Sequence, residues 1–251
     1  MRRSTFWLLL AGGIAFVVFL VVLLPARLVY AWTAPPDVRA YFVDGTILDG
    51  TAEQLEVAGF QFGRAHWSFR PASLLLGRIA FALRAERSDG FLEADVAVGF
   101  GDRVWISDVD ATLPLSIGEA LVPIQGVRGD VGLDFDLIRL HEAWPDRLAG
   151  TLNLVNLLVT QPSTQRMGSY RVVFDDNANG AAGALTGVFR DTSGPLDVQG
   201  TVVLKDDRSY VVEGRVLARE SAPGPFNDTL QFMFGSPGPD GRRSFSFGGT
   251  L

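Results

Sequence analysis

Two hydrophobic patterns divide the chain. The first is an unbroken apolar run from Phe6 to Leu24, 19 residues without a charge. At 1.5 Å per residue a helix of that length measures about 28 Å, close to the ~30 Å hydrocarbon core of a bilayer. The second pattern starts at Tyr41 and has period two. Leu92, Ala94, Val96, Val98 and Phe100 share one face, opposite Glu93, Asp95 and Ala97. Leu133, Phe135 and Leu137 alternate in the same way with Asp134 and Asp136, and Ile79, Phe81 and Leu83 repeat the spacing. So do Leu196 with Val198, Val202 with Leu204 and Phe245 with Phe247. Alternation over short runs predicts half-buried antiparallel strands, apolar inward and polar outward. Turn pairs such as Asp44-Gly45, Asp49-Gly50, Asp89-Gly90, Gly101-Asp102 and Asp240-Gly241 punctuate them. About a dozen strands are expected at the usual 8–12 residue spacing.

Glycine followed by alternating aliphatics recurs at Gly132, Gly150, Gly200, Gly214 and Gly249. Each is read as a strand beginning just after a turn, which predicts a long antiparallel meander. Two segments have helical signals. Ser116 to Leu121 lies between Pro114 and Pro123, so it allows one or two turns. Asn227 to Phe234 has a cap residue at its start and Gly235 beyond its end, although Phe232 and Phe234 also suit a strand.

Charge sharpens this division. The net charge of −6 over 251 residues is a sum of unlike parts. Residues 1–32 carry +3 from Arg2, Arg3 and Arg27, which leaves −9 on the rest. The expected organisation is a cytoplasmic tail (1–5), a transmembrane anchor from Phe6 to Leu24, a juxtamembrane linker (25–40) and a β-rich domain (41–251). A cleaved leader is the rival reading, because Val29 to Ala31 resembles a small-residue cleavage site. Signal-peptide apolar cores usually run 7–15 residues, and this one is longer. The basic N-terminus favours a cytoplasmic start, which leaves the body on the far side of the membrane.

Composition removes most chemistry. There is no cysteine, which excludes disulfide scaffolds, thiolate metal sites and thiol nucleophiles. The two histidines, His66 and His141, leave little for metal or acid–base work. A pI near 5 disfavours nucleic acid as a partner. Asp175 to Gly180 opens like an EF-hand loop but has Thr186 where the bidentate Glu belongs, so a polar turn is the simpler reading. Asp108 with Asp110, and Asp134 with Asp136, pair at i, i+2 on a strand face, where solvated carboxylates are the ordinary case. No catalytic residue, cofactor or metal is expected.

The glycine-punctuated segments, taken in order, carry a resemblance. They are Gly45 to Ala52, Trp67 to Pro71 with Leu74 and Gly77, Leu113 to Leu115, Gly168 to Tyr170 and Gly194 to Gly200. Gly235, Asp240 to Arg242 and the closing Gly249 to Leu251 complete the set. Together they resemble protein N of the bacterial type II (general) secretion pathway. Leu48 departs from the family's frequent Trp. The resemblance implies a single-span inner-membrane protein with a periplasmic β domain, working as an accessory subunit among other type II secretion subunits. It also implies a fold related to AsmA-like envelope proteins, and it supplies no catalytic residue. The positions carrying it (Gly45, Gly50, Trp67, Pro71, Gly77, Gly194, Pro195, Leu196, Gly200 and Gly249) are read as structural. The alternative is an envelope lipid-binding protein with a lipid ligand in an apolar groove.

Overall fold

The structure, a computed structural model, describes residues 3–33, 38–57, 59–116, 126–160, 164–176 and 184–250. The chain opens with α1 (Arg3–Val22) and α2 (Ala26–Thr33). Thirteen strands follow: β1 (Val38–Gly45), β2 (Asp49–Val57), β3 (Phe60–Phe69), β4 (Ile79–Arg87), β5 (Gly90–Val98), β6 (Arg103–Pro114) and β7 (Val127–His141). The series continues with β8 (Trp144–Val159), β9 (Gln165–Phe174), β10 (Ala184–Ser193), β11 (Leu196–Lys205), β12 (Ser209–Ala218) and β13 (Arg243–Thr250). A 3-10 turn (Pro71–Leu76) separates β3 from β4, and α3 (Pro225–Phe234) precedes β13. The helical reading of the latter segment therefore holds. Most of the other candidate helix, and most of the EF-hand-like loop, lie outside the described residues.

Among the described residues the thirteen strands form one antiparallel sheet in sequence order, and β1 does not pair with β13. Its registry is regular enough to trace one residue per strand from edge to edge. One row reads Val43, Ala52, Ala65, Ala85, Leu92, Ala111, Leu133, Leu152, Val172, Phe189, Gly200, Gly214, Phe245. The adjacent row, on the opposite face, reads Asp44, Thr51, His66, Arg84, Glu93, Asp110, Asp134, Thr151, Val173, Val188, Thr201, Glu213, Ser246. Period-two alternation thus becomes an apolar face and a largely polar face across the whole sheet.

The sheet is essentially a single layer. Its accessible surface is 16216 Å² for 27.2 kDa, about 1.5 times the ~10,900 Å² expected of a compact monomer of that mass. The projecting α1 accounts for part of the excess. Burial is nevertheless achieved, with Ala94, Val109, Phe135, Leu148, Phe174 and Leu185 forming one buried cluster across β5–β10. Curling of the sheet explains this. The Arg208 guanidinium, between β11 and β12, donates to the Glu142 carbonyl, between β7 and β8, at 3.4 Å. A flat sheet would separate those turns by four strand spacings, or ~19 Å. At the C-terminal end α3 supplies the only helical cover described, with Phe226 and Leu230 closing over Leu196 and Val216.

The structure corrects the reading of the recurrent glycines. Gly132, Gly150, Gly200, Gly214 and Gly249 lie inside β7, β8, β11, β12 and β13, not at their starts. Several make room for rings on the neighbouring strand. A Cβ at Gly150 would lie 2.8 Å from Phe135 Cδ1, at Gly200 2.5 Å from Phe189 Cζ, and at Gly214 2.6 Å from Phe245 Cζ. A strand glycine loses packing of its own; here the lost side chain is replaced by an aromatic face from next door.

The anchor expectation is also modified. Helix α1 ends at Val22, so Leu24 lies outside it. The physical cause is Pro25, which cannot continue the hydrogen-bond ladder, together with the pull of the first hairpin. Ile47 N–H donates to the Leu24 carbonyl at 3.1 Å, and Pro25 bridges Thr46. Among the described residues no helix is long and apolar enough to cross a membrane; the side chains at positions 3, 4, 5, 8 and 14 of α1 are outside the description. The expected linker is partly the helix α2.

Candidate interaction surfaces

Most of the residues carrying the family resemblance fall into three places. In the first, Gly45 pairs with Gly50 at the β1–β2 turn, and Gly50 pairs with Trp67 on β3. A Cβ at Gly50 would lie 2.5 Å from Trp67 Cζ2. The indole Nε1–H of Trp67 donates to the Thr46 carbonyl at 3.3 Å. Trp67 is half-buried and closes the hairpin that is tied to Leu24 and Pro25.

The second place is the 3-10 turn. Pro71 fixes its first residue, and Gly77 closes it at φ 67, donating its N–H to the Leu74 carbonyl at 3.0 Å.

The third place gathers segments distant in sequence. Gly168 and Gly194 approach so closely that a Cβ on Gly194 would lie 2.6 Å from the Gly168 Cα. Arg219 fastens the Gly194-Pro195 turn, donating from its guanidinium to the Gly194 carbonyl at 2.8 Å and from its N–H to the Pro195 carbonyl at 2.8 Å. The same guanidinium reaches Asp191 at 2.6 Å, and Asp191 also accepts the Val198 N–H at 2.9 Å. The Asp191 side chain is 7% exposed, so this carboxylate is held by one cation and one amide out of water. Beside it, burial chiefly, with the Asp191 charge adding, pushes the Tyr170 hydroxyl up to about 12. That hydroxyl donates to the Met167 carbonyl at 2.7 Å. Asp197 accepts two bonds from Arg242 at 3.0 and 2.7 Å, and these hold its carboxyl below the usual range. Leu196 turns inward under α3. Gly200 and Gly249 lie apart from this clasp, under Phe189 and Tyr210 respectively. Nothing in the sequence singled out Asp191 or Arg219, because their partnership spans 28 positions and follows no motif.

The carboxylate pairs take the solvated role. Asp108, Asp110, Asp134 and Asp136 are all exposed. Glu93, Asp110 and Asp134 stand side by side on three strands, with Arg84 3.5 Å from Glu93. Farther along this face the balance reverses, with Arg171 directly opposite Arg190. His66 lies 3.7 Å from Asp49, and His141 is exposed at the end of β7. Among the described residues no group of three or more acids and histidines is placed to hold a metal ion.

The two sheet edges differ. On β1 the edge is capped from within: the Tyr30 hydroxyl, on α2, donates to the Val38 carbonyl at 3.1 Å and accepts the Ala40 N–H at 2.9 Å. One side chain thus answers a donor and an acceptor as a partner strand would. On β13, among the described residues, only β12 hydrogen-bonds the main chain of Ser244 to Thr250. That segment has no charge and no proline, the devices that ordinarily blunt an edge. Phe247 on it is exposed, as are Phe232 and Met233 on the neighbouring α3.

The family profile of type II secretion system protein N matches residues 36–246. The chain belongs to that family. The match begins two residues before β1 and ends within β13, so it covers β1 to β12 and the first half of β13. No curated protein and no solved structure matches the chain significantly, so the expected kinship with AsmA-like proteins gains no support. The lipid-groove alternative gains none either. A groove for an acyl chain needs open apolar lining, whereas Phe135 and Phe174 are 5% and 8% exposed and fill the curl themselves.

Proposed function

We propose that this member of the type II secretion system protein N family is a non-enzymatic accessory subunit of the inner-membrane platform, with α1 as its single-pass anchor. The N-terminus lies in the cytoplasm and the sheet in the periplasm, where β13 offers its open edge to neighbouring secretion subunits. The observation that carries the contact mode is the inequality of the edges. Tyr30 occupies the Val38 carbonyl and the Ala40 N–H at the start of β1, while the outward groups of β13 are left for an added strand, as in β-augmentation. The anchor rests on the charge-free stretch from Phe6 to Leu24 and on the exposure of Phe6, Trp7, Leu9, Phe16, Phe19 and Leu20 along α1. Affinity capture of the full chain from detergent-solubilised membranes tests the proposal. Recovery of other secretion subunits, reduced by Phe247→Lys on the β13 edge, is the expected result. Capture of none, together with normal secretion after deletion of the gene, overturns it.

A further inference from the structure

Three turns share one end of the sheet: Thr46 to Leu48, Pro71 to Arg78, and Gly99 to Asp102. The first of them is tied to the end of α1, through the Ile47 N–H to Leu24 carbonyl bond and the Pro25–Thr46 bridge. The second and third carry apolar side chains with no partner to justify them. Leu75 is 89% exposed and Phe100 90%, with Leu74, Leu76, Ile79 and Val98 exposed around them.

Three consecutive exposed leucines are an error in a water-facing surface unless they have a function. This turn is not loosely built. Pro71 starts it, Ser73 Oγ donates to the Arg70 carbonyl at 2.6 Å, and Arg78 N–H donates to the Ser73 carbonyl at 3.1 Å. A well-fastened turn holds Leu74 to Leu76 outward.

We propose that this end of the sheet is seated in the membrane interface, with Leu74 to Leu76 and Phe100 dipping among the lipid chains beside the anchor. The proposal rests on the reading of α1 as a membrane anchor and adds a second attachment to it. The distances suit it. The leucine turn lies two strand spacings from the tie to α1 and Phe100 lies four, roughly 10 and 20 Å away along the sheet edge. The flanking groups suit it as well. The Arg78 guanidinium lies 3.9 Å from the centre of the Trp105 ring, and among the described residues no carboxylate pairs with it. An arginine over a tryptophan, just behind an apolar tip, is the arrangement that settles at the headgroup level, with the cation directed to lipid phosphate. The opposite end of β4 finishes instead in the polar turn of Ser88 and Asp89.

The absence of cysteine allows a clean test with single-cysteine variants of the full chain. Leu75→Cys, Phe100→Cys, Ser88→Cys and Phe16→Cys are each labelled with an environment-sensitive fluorophore. Each is then reconstituted in phosphatidylethanolamine–phosphatidylglycerol vesicles. The expected result is blue-shifted emission at positions 75 and 100, quenched by lipid-borne nitroxide more than by an aqueous quencher. Position 88, ~30 Å away along β4, should show the reverse, and position 16 should behave as lipid-buried. Water-like emission at 75 and 100 with a lipid-buried position 16 overturns this proposal and leaves the anchor standing. Water-like emission at position 16 overturns the anchor reading and this proposal with it. Protection of 75 and 100 from both quenchers alike signals a protein contact and also overturns it.

Discussion

Exchanging Gly187 for alanine isolates the packing principle of this sheet. A Cβ at that position in β10 would lie 2.7 Å from Phe174 Cε1, 2.9 Å from Phe174 Cζ and 2.9 Å from Val202 Cγ1. All three obstacles are side-chain atoms, so the outcome turns on whether the ring can move. Phe174 is 8% exposed and packs against Phe135 with 6.2 Å between ring centres, which leaves it little freedom. Replacing a strand glycine by alanine should by itself stabilise by about 0.5–1 kcal/mol. Overpacking a filled core opposes this by about 1–3 kcal/mol. The net expectation is a loss of about 1–2 kcal/mol, or a Tm lower by roughly 2–8 °C at this chain length. In a Phe174→Leu background the ring is gone, and Gly187→Ala should become neutral or mildly stabilising. The coupling between the two sites is then about 2 kcal/mol. Urea unfolding of the full chain in detergent, followed by the fluorescence of its five tryptophans, measures all four corners of the cycle. An equal loss from Gly187→Ala in both backgrounds would refute the reasoning.

Other perturbations address the remaining clasps. Trp67→Phe should cost about 1 kcal/mol more than Trp144→Phe in the same unfolding assay. The first loses the bond to the Thr46 carbonyl, whereas among the described residues the buried Trp144 Nε1 has no acceptor. Asp191→Ala should destabilise by about 1–3 kcal/mol, because it leaves the buried Val198 N–H without its acceptor and removes one partner of the Arg219 guanidinium, which is itself 38% exposed and keeps its bond to the Gly194 carbonyl. A melt within 2 °C of the parent chain would contradict that. Asp197 titrates below its usual range because Arg242 hydrogen-bonds it. Its contribution to stability is therefore complete above about pH 4 and fades as pH falls through its depressed folded value. Asp197→Asn should be less stable than the parent chain at pH 7, with the gap narrowing on acidification; a gap independent of pH would show the pair to be inert.

The strands were legible because each is half-buried, which imprints period two on the sequence. Leu92 to Val96 and Leu133 to Leu137 are the clearest cases and end up in the predicted alternation, whereas Val98 and Phe100, expected on the same inward face, are exposed, Phe100 in the turn beyond β5. The helix around Asn227 was legible from its closing glycine, Gly235, but its start was misplaced: it begins at Pro225 after Gly224, with Asn227 inside the first turn instead of capping it. The role of the strand-interior glycines was not, because a glycine beginning a strand and one lying beneath a neighbour's ring have the same local sequence. Gly200 shows this, since a Cβ there would meet the Glu213 carbonyl oxygen and the Phe189 ring, each on a neighbouring strand. The Asp191–Arg219 clasp and the Tyr30 cap on β1 were hidden for a related reason. A single hydrogen-bonding side chain leaves no periodic trace, and its partner is fixed only once the register is known.

The strict neighbour order of the strands has a consequence for how such a chain comes into being. Each strand pairs only with those just before and after it in sequence, so most pairings join near neighbours in the chain; the longest excursion is residues 219–242, which carry α3 between β12 and β13. Folding with so little long-range pairing is kinetically favoured. It resembles the propagation of a repeat array more than the collapse of a globular core. A chain that emerges in sequence order can zip its sheet together strand by strand, with β13 joining last across the α3 segment. The same order lets the sheet lengthen or shorten by one hairpin without disturbing the pairing elsewhere.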